Sequence, residues 1–359
     1  EMKKVAILFS VMMIGSFIII YSCKKNDNSN PDPSAKKKCA WVVGDADSTG
    51  YGMILYSPDG GDTWERQGMG SAALDSIDLM DVWALDENNV WAVGSKNAIL
   101  HTTDGGKTWM RIDSPVNPSN PILQSLSIIN NTNLWISGSK GTVYNSTDGG
   151  NTWAMFDTNF FQGGVMQGIW AHTPDVIYVV GDVSDQPGAN RGFISKTLNG
   201  GNTWDIITPV NDYNKWQWIG VTSYGNTVVV YGRKSHYVFS IDGGITWKND
   251  SIADTGGIGG ADINHLIMLD SQIWWGAFDL GNIYITEDGG SNWIKQLTPS
   301  LGGEFLVGID AWDRQLALAV GESDGWPLGG SILKTSDGGD IWELKDSQKV
   351  QLSKVSFIR

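Results

Sequence analysis

ILHTTDGGKTW, at residues 99–109, is the stretch that decides the fold, because its core, DGGxxW, recurs along the whole chain. Six copies are present, together with a seventh that has Asn in place of Asp, and successive copies lie 43 to 51 residues apart. A repeat of this length is typical of solenoids and propellers. The position before the two glycines is occupied by Asp59, Asp104, Asp148, Asn199, Asp242, Asp288 and Asp337.

Each repeat contains four short, strand-like runs bounded by Gly, Asn or Asp. In the second repeat these runs cover residues 79–85, 90–94, 98–102 and 108–112. No stretch after Cys39 shows sustained helical spacing of apolar residues. The pattern predicts an all-β fold, a seven-bladed β-propeller of four-stranded antiparallel blades that spans residues 39–359.

The two ends of the repeat region predict how the ring closes. The first repeat begins at Cys39 with a second-strand motif and lacks a first strand, whereas residues 351–358 (QLSKVSFI) form a surplus strand. We expect this C-terminal strand to pair with the strand that contains Trp41 and Val43. Such pairing closes the ring and removes an open edge that would promote aggregation.

The N-terminal segment is typical of an export signal. A short basic stretch is followed by an apolar run that ends at Ser22 and Cys23, and this order resembles a bacterial lipoprotein signal. We expect residues 1–22 to be a signal peptide, Cys23 to be lipidated, and residues 23–38 to form a polar tether. A retained anchor helix is the alternative. Cys39 would then be the only other thiol, which leaves no internal disulfide.

These features predict a protein that crosses the inner membrane and is held by lipid, with Lys24 after the cysteine favouring the outer membrane. The side of that membrane stays open. The chain has 25 basic and 39 acidic residues, a formal charge of −14 that disfavours binding to nucleic acid or to anionic lipid. We therefore expect membrane attachment through the lipid alone.

The repeated DGGxxW string is predicted to be a folding device. The Asp can accept hydrogen bonds from amides of the following turn, the glycines allow positive φ, and the Trp can pack between sheet and turn. Calcium binding is the alternative, but each copy offers one or two acids rather than a cluster. The four histidines are dispersed without ligand spacing. We expect no metal and no cofactor.

This string resembles the Asp-box, or BNR repeat, of sialidases, sortilin-type receptors, xyloglucan-active hydrolases and photosystem II assembly factor propellers. The assembly factor-like group has the most similar sequence pattern, because VWAVG at residues 90–94 precedes the box at residues 99–109. That resemblance implies a binding or assembly propeller. The chain has only six arginines and no R-I-P motif, which argues against sialidase chemistry. The paired propellers of xyloglucan hydrolases and an arginine-rich docking patch are also missing.

Insertions between the second and third strands should rise on the face opposite the boxes. They cover residues 45–52, 182–192 and 322–330. Loops on a rigid scaffold often carry function. Aromatic and charged residues from these loops and from the blade-to-blade connections form the predicted binding surface, namely Phe160, Phe161, Arg191, Trp216 and Trp326. The alternative interpretation is that these residues only pack the core or lie in solvated loops.

Two functions from different classes follow. The favoured hypothesis is a non-catalytic propeller that recognises a protein or a glycan on this face. The alternative is a glycoside hydrolase that uses two of the carboxylates Asp45, Asp182 and Glu322 as acid and base, or as acid and nucleophile. Such a pair must lie about 5–10 Å apart. Asp45 with Glu322, in neighbouring blades, is the easier pair.

Overall fold

A computed structural model describes residues 37–115, 117, 119–156, 164–184, 190–207, 216–252, 260–299, 304–323 and 329–358. The chain divides into two units, residues 1–36 and 37–359. Four residues singled out above lie outside the described part: Cys23, Phe160, Phe161 and Trp326. Within the described part, no helix has the length and apolar character needed to span a membrane.

Seven four-stranded sheets follow one another along the chain, and strands within each sheet are antiparallel. Blade 1 consists of β1 (Ala40–Ala46), β2 (Gly52–Ser57), β3 (Glu65–Arg66) and the C-terminal β28 (Leu352–Phe357). Blade 2 consists of β4 (Leu79–Ala84), β5 (Val90–Gly94), β6 (Ala98–Thr102) and β7 (Met110–Ile112). Blade 3 consists of β8 (Leu123–Ile128), β9 (Leu134–Gly138), β10 (Thr142–Ser146) and β11 (Ala154–Met155). Blade 4 consists of β12 (Val165–Ala171), β13 (Ile177–Ser184), β14 (Asn190–Thr197) and β15 (Asp205–Ile207).

Blade 5 consists of β16 (Trp218–Tyr224), β17 (Thr227–Gly232), β18 (His236–Ser240) and β19 (Lys248–Ser251). Blade 6 consists of β20 (Ile263–Met268), β21 (Trp274–Phe278), β22 (Ile283–Thr286) and β23 (Ile294–Lys295). Blade 7 consists of β24 (Glu304–Ala311), β25 (Ala317–Ser323), β26 (Gly330–Thr335) and β27 (Glu343–Gln348). The prediction of a seven-bladed all-β propeller is confirmed.

The C-terminal strand closes the ring as predicted. β28 pairs antiparallel with β1, with Ser356 opposite Trp41 and Lys354 opposite Val43. Because β28 is the first strand of blade 1, the blade is built from both ends of the repeat region. The ring therefore has no open first-strand edge in blade 1.

The hydrophobic core consists of clusters between neighbouring blades. Between blades 2 and 3, for example, Trp91 and Val93 pack with Leu126, Ile136 and Tyr144. Second strands are buried on both faces, as in β5, where all five residues are buried. This explains why they are almost wholly apolar.

Polar side chains on the innermost strands link several neighbouring blades. The carboxylate of buried Asp81 accepts a hydrogen bond from the Leu126 N–H of the next blade at 2.9 Å. Similar hydrogen bonds join Ala171 N to Ser127 Oγ (2.9 Å), Ile309 N to His265 Nδ1 (3.2 Å), Phe357 N to Asp310 Oδ2 (2.9 Å) and Ala84 N to Ser356 Oγ (3.1 Å). These polar groups are therefore used to hold the ring together.

Candidate functional site

The propeller presents two faces of different construction. The box face carries the seven turns that join third and fourth strands, where the DGG strings lie. The loop face carries the connections from second to third strands and from blade to blade. Because all seven blades have the same strand order, equivalent positions on each face can be compared from blade to blade.

On the box face, each acidic side chain is bonded within its own turn. Asp104 Oδ1 accepts hydrogen bonds from Thr108 N at 2.9 Å and Thr102 Oγ1 at 2.8 Å, while Oδ2 accepts from Thr108 Oγ1 at 2.7 Å. Gly105 and Gly106 have φ of 73° and 85°, which favours glycine. The Thr108 N–H and hydroxyl bonds hold the pKa of Asp104 below its ordinary value.

The other boxes repeat this arrangement, except that Ile341 in blade 7 donates only its backbone N–H. Asn199 keeps the acceptor oxygen, because its Oδ1 accepts from Thr203 N at 2.9 Å. Hydrogen bonds from the side chain and N–H of the residue four positions later lower the pKa of Asp148 and Asp288. The contacts of these side chains are thus contacts that build the turn.

A central channel runs between the seven innermost strands and encloses a cavity of about 200 Å³. Its wall includes residues from every blade, among them Asp81, Gln124, Gln167, His265 and Lys354. A β-bulge recurs near the start of the innermost strand in each blade, for example between Leu79 and Asp81. The bulge marks the end of the channel that opens on the loop face.

One position at this opening is equivalent in all blades. It follows the second-strand residue that pairs with the innermost-strand residue just before the bulge, as Gly94 pairs with Leu79 and Gly321 with Leu306. We call the seven residues at this position the mouth ring. In blade order they are Asp45, Ser95, Ser139, Asp182, Arg233, Asp279 and Glu322.

Four members of the mouth ring are engaged locally. Ser95 Oγ accepts the Asp78 N–H and Ser139 Oγ accepts the Ile122 N–H, both at 2.9 Å. The other two, Arg233 and Asp279, form a polar group with Asp262. The contacts of that group are Arg233 Nη1 to Asp262 Oδ2 at 3.1 Å, Asp262 N to Asp279 Oδ2 at 3.2 Å, and Asn264 Nδ2 to Asp279 Oδ1 at 2.9 Å.

The remaining three members are carboxylates whose pKa values are raised. Burial raises the pKa of Glu322, and the carboxylates of Asp45 and Asp279 raise it further. Burial also raises the pKa of Asp45, with Asp78 adding to the effect. For Asp182, burial outweighs a hydrogen bond from Gln167 and the charge of Arg233. Asp182 Oδ1 is buried without a hydrogen-bond partner among the described residues.

These three carboxylates are those that sequence reasoning named as possible acids and bases. Asp45 and Glu322 lie on the neighbouring blades 1 and 7, and the charge of Asp45 contributes to the raised pKa of Glu322. Asp182 lies on blade 4 and is influenced by Gln167 and Arg233 instead. The mouth thus offers a pair of interacting carboxylates and one separate carboxylate. Such a surface attracts a cationic group.

The predicted aromatic surface is only partly described. Trp216 is partly buried against the core between blades 4 and 5, and its ring meets His236 edge-on with 3.6 Å between centroids. Arg191 lies on β14 opposite Val183, and its side chain is outside the described part, as are Phe160, Phe161 and Trp326. The role of these five residues in binding stays a prediction.

Sequence reasoning missed the mouth ring as a unit, although a signal was available. In six repeats the ring residue directly follows the glycine that ends the second-strand motif, as in VGD, VGS, SGS and YGR. Alignment of the repeats on that glycine would have collected them. Among the described residues, no group of three or more His, Cys, Asp or Glu side chains could hold a metal ion.

Fold and repeat together define an Asp-box β-propeller. A family model described as "Photosynthesis system II assembly factor YCF48" matches residues 34–154. The "Photosystem II assembly lipoprotein Ycf48" of Prochlorococcus marinus is 34% identical over 277 residues, which cover 74% of this chain and 73% of the relative. The chain belongs to the photosystem II assembly factor Ycf48 family.

Two further comparisons agree with this assignment. The protein of the same description from Synechococcus sp. (strain CC9902) is 28% identical over 299 residues, covering 81% of this chain and 68% of the relative. The solved structure "YCF48 bound to D1 peptide" is 19% identical, with a TM-score of 0.62, over 84% of this chain and 89% of that one. This structural similarity supports the propeller fold.

Proposed function

We propose that this protein is a lipid-anchored, non-catalytic assembly propeller that holds a segment of a partner protein at the mouth ring on the loop face. Membership of the Ycf48 family supports an assembly or binding role. The description of one structural relative as bound to a peptide supports a protein partner over a glycan. Recognition of a glycan is the other outcome of the test below.

The observation that carries the proposal is the different use of carboxylates on the two faces. Box carboxylates are bonded by their own turns, with lowered pKa values. At the mouth, burial and neighbouring carboxylates raise the pKa values of Asp45 and Glu322. A bound cationic group would relieve both the repulsion and the desolvation of these carboxylates.

The charge of the mouth indicates the chemistry of the partner segment. The ring holds four carboxylates and one guanidinium, and the whole chain has a formal charge of −14. A segment rich in Lys or Arg is therefore complementary to it, and its association should weaken as salt rises.

The test is a fluorescence anisotropy titration of the full chain with a labelled Lys- and Arg-rich peptide and an acidic peptide of equal length. We expect the basic peptide to bind, with an affinity that falls at least about tenfold in the Asp45→Asn, Asp279→Asn, Glu322→Gln triple variant. Asp340→Asn, which removes an exposed charge on the box face, is the matched control. Equal binding by the triple variant, or binding of glycans alone, would reject the proposed partner.

The glycoside hydrolase remains a second candidate because of one observation, the raised pKa of Glu322 beside Asp45. A raised pKa is the property that a general acid needs. The arginines argue against sialidase chemistry in particular. Arg66 and Arg111 lie on outer strands, where their guanidinium groups donate to backbone carbonyls of Gly52 and Lys96. Turnover of a glycan library that disappears in Glu322→Gln would favour the enzyme.

The lipid anchor belongs to the same proposal. Two relatives are described as lipoproteins, which supports attachment of this chain at Cys23. Radiolabelled palmitate should enter the wild type but not the Cys23→Ser variant. Fractionation of the labelled cells then tests the expected outer membrane location. Equal labelling of both forms would reject the anchor.

A further inference from the structure

Four of the exposed apolar side chains lie in turns of the box face. Ile245 is 80% exposed, Ile241 62%, Leu198 61% and Ile341 60%. Isolated exposed apolar residues are ordinary, but these belong to the box turns of blades 4, 5 and 7. At the equivalent positions, other boxes carry polar side chains such as Thr103, Lys107 and Asn151.

One of these residues replaces a group that stabilises the other boxes. The position of Ile341 is held by Thr in five boxes and by Asn in another, and these side chains bond to the acidic position. Ile341 bonds only through its backbone N–H, to Asp337 Oδ1 at 3.1 Å. An isoleucine cannot donate a side-chain hydrogen bond. The turn thus has an exposed apolar group where its equivalents have a stabilising polar one.

The apolar residues of blades 4 and 5 lie on neighbouring box turns, and we call Leu198, Ile241 and Ile245 the apolar patch. Lys196 Nζ and Tyr178 Oη, both from blade 4, donate to Gly243 O of the blade 5 box at 2.7 and 2.8 Å. Leu198 and Ile241 therefore lie on adjacent, connected turns. Charge within this patch is low, because blade 4 has Asn199 in place of the acid and Lys196 lies near Asp242.

The described chain also begins at the box face. Lys38 lies against Gly60 in the box of blade 1, because a Cβ atom added to Gly60 would be 3.4 Å from the Cβ of Lys38. Lys37 Nζ lies 2.9 Å from Glu87 Oε2, in the turn between β4 and β5. Cys23 is 14 residues before Lys37, and 14 residues can span at most about 50 Å.

We propose that the box face of the propeller rests on a lipid bilayer, with Leu198, Ile241 and Ile245 in contact with the lipid and the mouth ring directed away from it. This proposal rests on the lipid anchor of the proposed function, and it adds a direct contact of the protein to the attachment through lipid alone that the sequence predicts. Tethering at Cys23 would raise the local concentration of the box face at the bilayer, so that a small apolar patch suffices for contact. Partners would then approach the uncovered loop face.

The test uses an environment-sensitive fluorophore on a cysteine introduced at Ile245→Cys. The mature chain carries Cys23→Ser and an N-terminal histidine tag, and it is held on phosphatidylcholine vesicles by a nickel-chelating lipid. Cys39 is buried, which leaves the new thiol as the labelling site. Lys107→Cys, on the box of blade 2, and Leu280→Cys, exposed on the loop face, are the matched controls.

We expect the label at position 245 to shift its emission to shorter wavelength on the vesicles and to be quenched by lipids brominated on the acyl chain. The label at position 280 should remain in water. Leu198→Ser with Ile241→Ser should reduce the quenching at position 245. Equal, water-like emission at 245 and 280 would overturn the proposal, as would a concentration-dependent shift without vesicles, which would indicate a second copy of the chain.

The artificial anchor separates this test from that of lipidation. If palmitate labelling fails but the label at 245 enters the lipid, the patch is confirmed and the anchor is rejected. If palmitate labelling succeeds but the label stays in water, the anchor stands and the patch is rejected.

Discussion

The box turns carry six carboxylates and the mouth ring four on one seven-fold scaffold, yet the environments of these carboxylates differ. At the boxes, N–H and hydroxyl donors converge on each carboxylate and lower its pKa, as at Asp104 and Asp148. At the mouth, burial and like charges raise the pKa values of Asp45 and Glu322. The difference shows that the local donors, not the repetition, separate carboxylates that build the fold from those open to a partner.

The largest expected difference between the two regions is in stability. Asp59 accepts hydrogen bonds from Ser57, Asp62 and Thr63, so Asp59→Ala should lower the free energy of unfolding by about 1–2 kcal/mol. Asp59→Asn should cost less, because Asn199 fills the same role in blade 4. Denaturant titration of each variant gives the measurement. A cost for Asp59→Ala below about 0.5 kcal/mol would contradict a structural role for the box.

The matched change at the mouth should leave stability nearly unaffected. Glu322→Gln removes a charge that burial and Asp45 disfavour, so the free energy of unfolding should stay within about 0.5 kcal/mol of wild type or rise. The same denaturant titration measures this. A large loss of stability would mean that Glu322 is a structural residue like the box carboxylates.

The dependence of stability on pH should have opposite signs in the two regions. The folded pKa of Asp104 lies below 3.8, so its contribution is present above that pH and is lost as pH falls through the folded value. The folded pKa of Glu322 lies above 4.5, so the folded state binds the proton first and its contribution falls as pH rises through the folded value. Melting temperatures of wild type and Glu322→Gln between pH 4 and 8 should therefore diverge.

In that comparison, the wild type should lose stability relative to Glu322→Gln as the pH rises from about 4.5, the ordinary pKa of the glutamate. Parallel curves for the two proteins would show that Glu322 titrates as it does in the unfolded chain.

The smallest expected effect is at the box of blade 7. Ile341→Thr restores the hydroxyl that other boxes donate to the acidic position, so the melting temperature should rise by about 1 °C. Thr108→Ile in blade 2 is the reverse change and should lower it. A decrease for Ile341→Thr would mean that packing at this turn outweighs the hydrogen bond.

The sequence was sufficient for the fold because the DGGxxW string fixes a turn of one geometry at regular intervals. The unpaired second-strand motif at Trp41 and the surplus strand at residues 351–358 then determined the closure of the ring. These are local patterns, and local patterns can be read from one chain.

The mouth ring could be predicted only in part. Asp45, Asp182 and Glu322 were identified because they lie in insertions, but the equivalence of Asp279, which follows Phe278 rather than a glycine, depends on the β-bulge that sets the strand register. Their pKa values depend on which blades are neighbours and on burial at the channel. Neither property is contained in a local pattern.

The central claim is that one scaffold holds its carboxylates with opposite preferences for the proton. Carbon-13 NMR titration of the side-chain carboxyl carbons, with assignments from Glu322→Gln, Asp45→Asn and Asp104→Asn, tests it most directly. We expect the carboxyl groups of Glu322 and Asp45 to titrate above their ordinary pKa values and that of Asp104 to titrate below its ordinary pKa. Titration of Glu322 and Asp45 at or below the pH at which Asp104 titrates would contradict it.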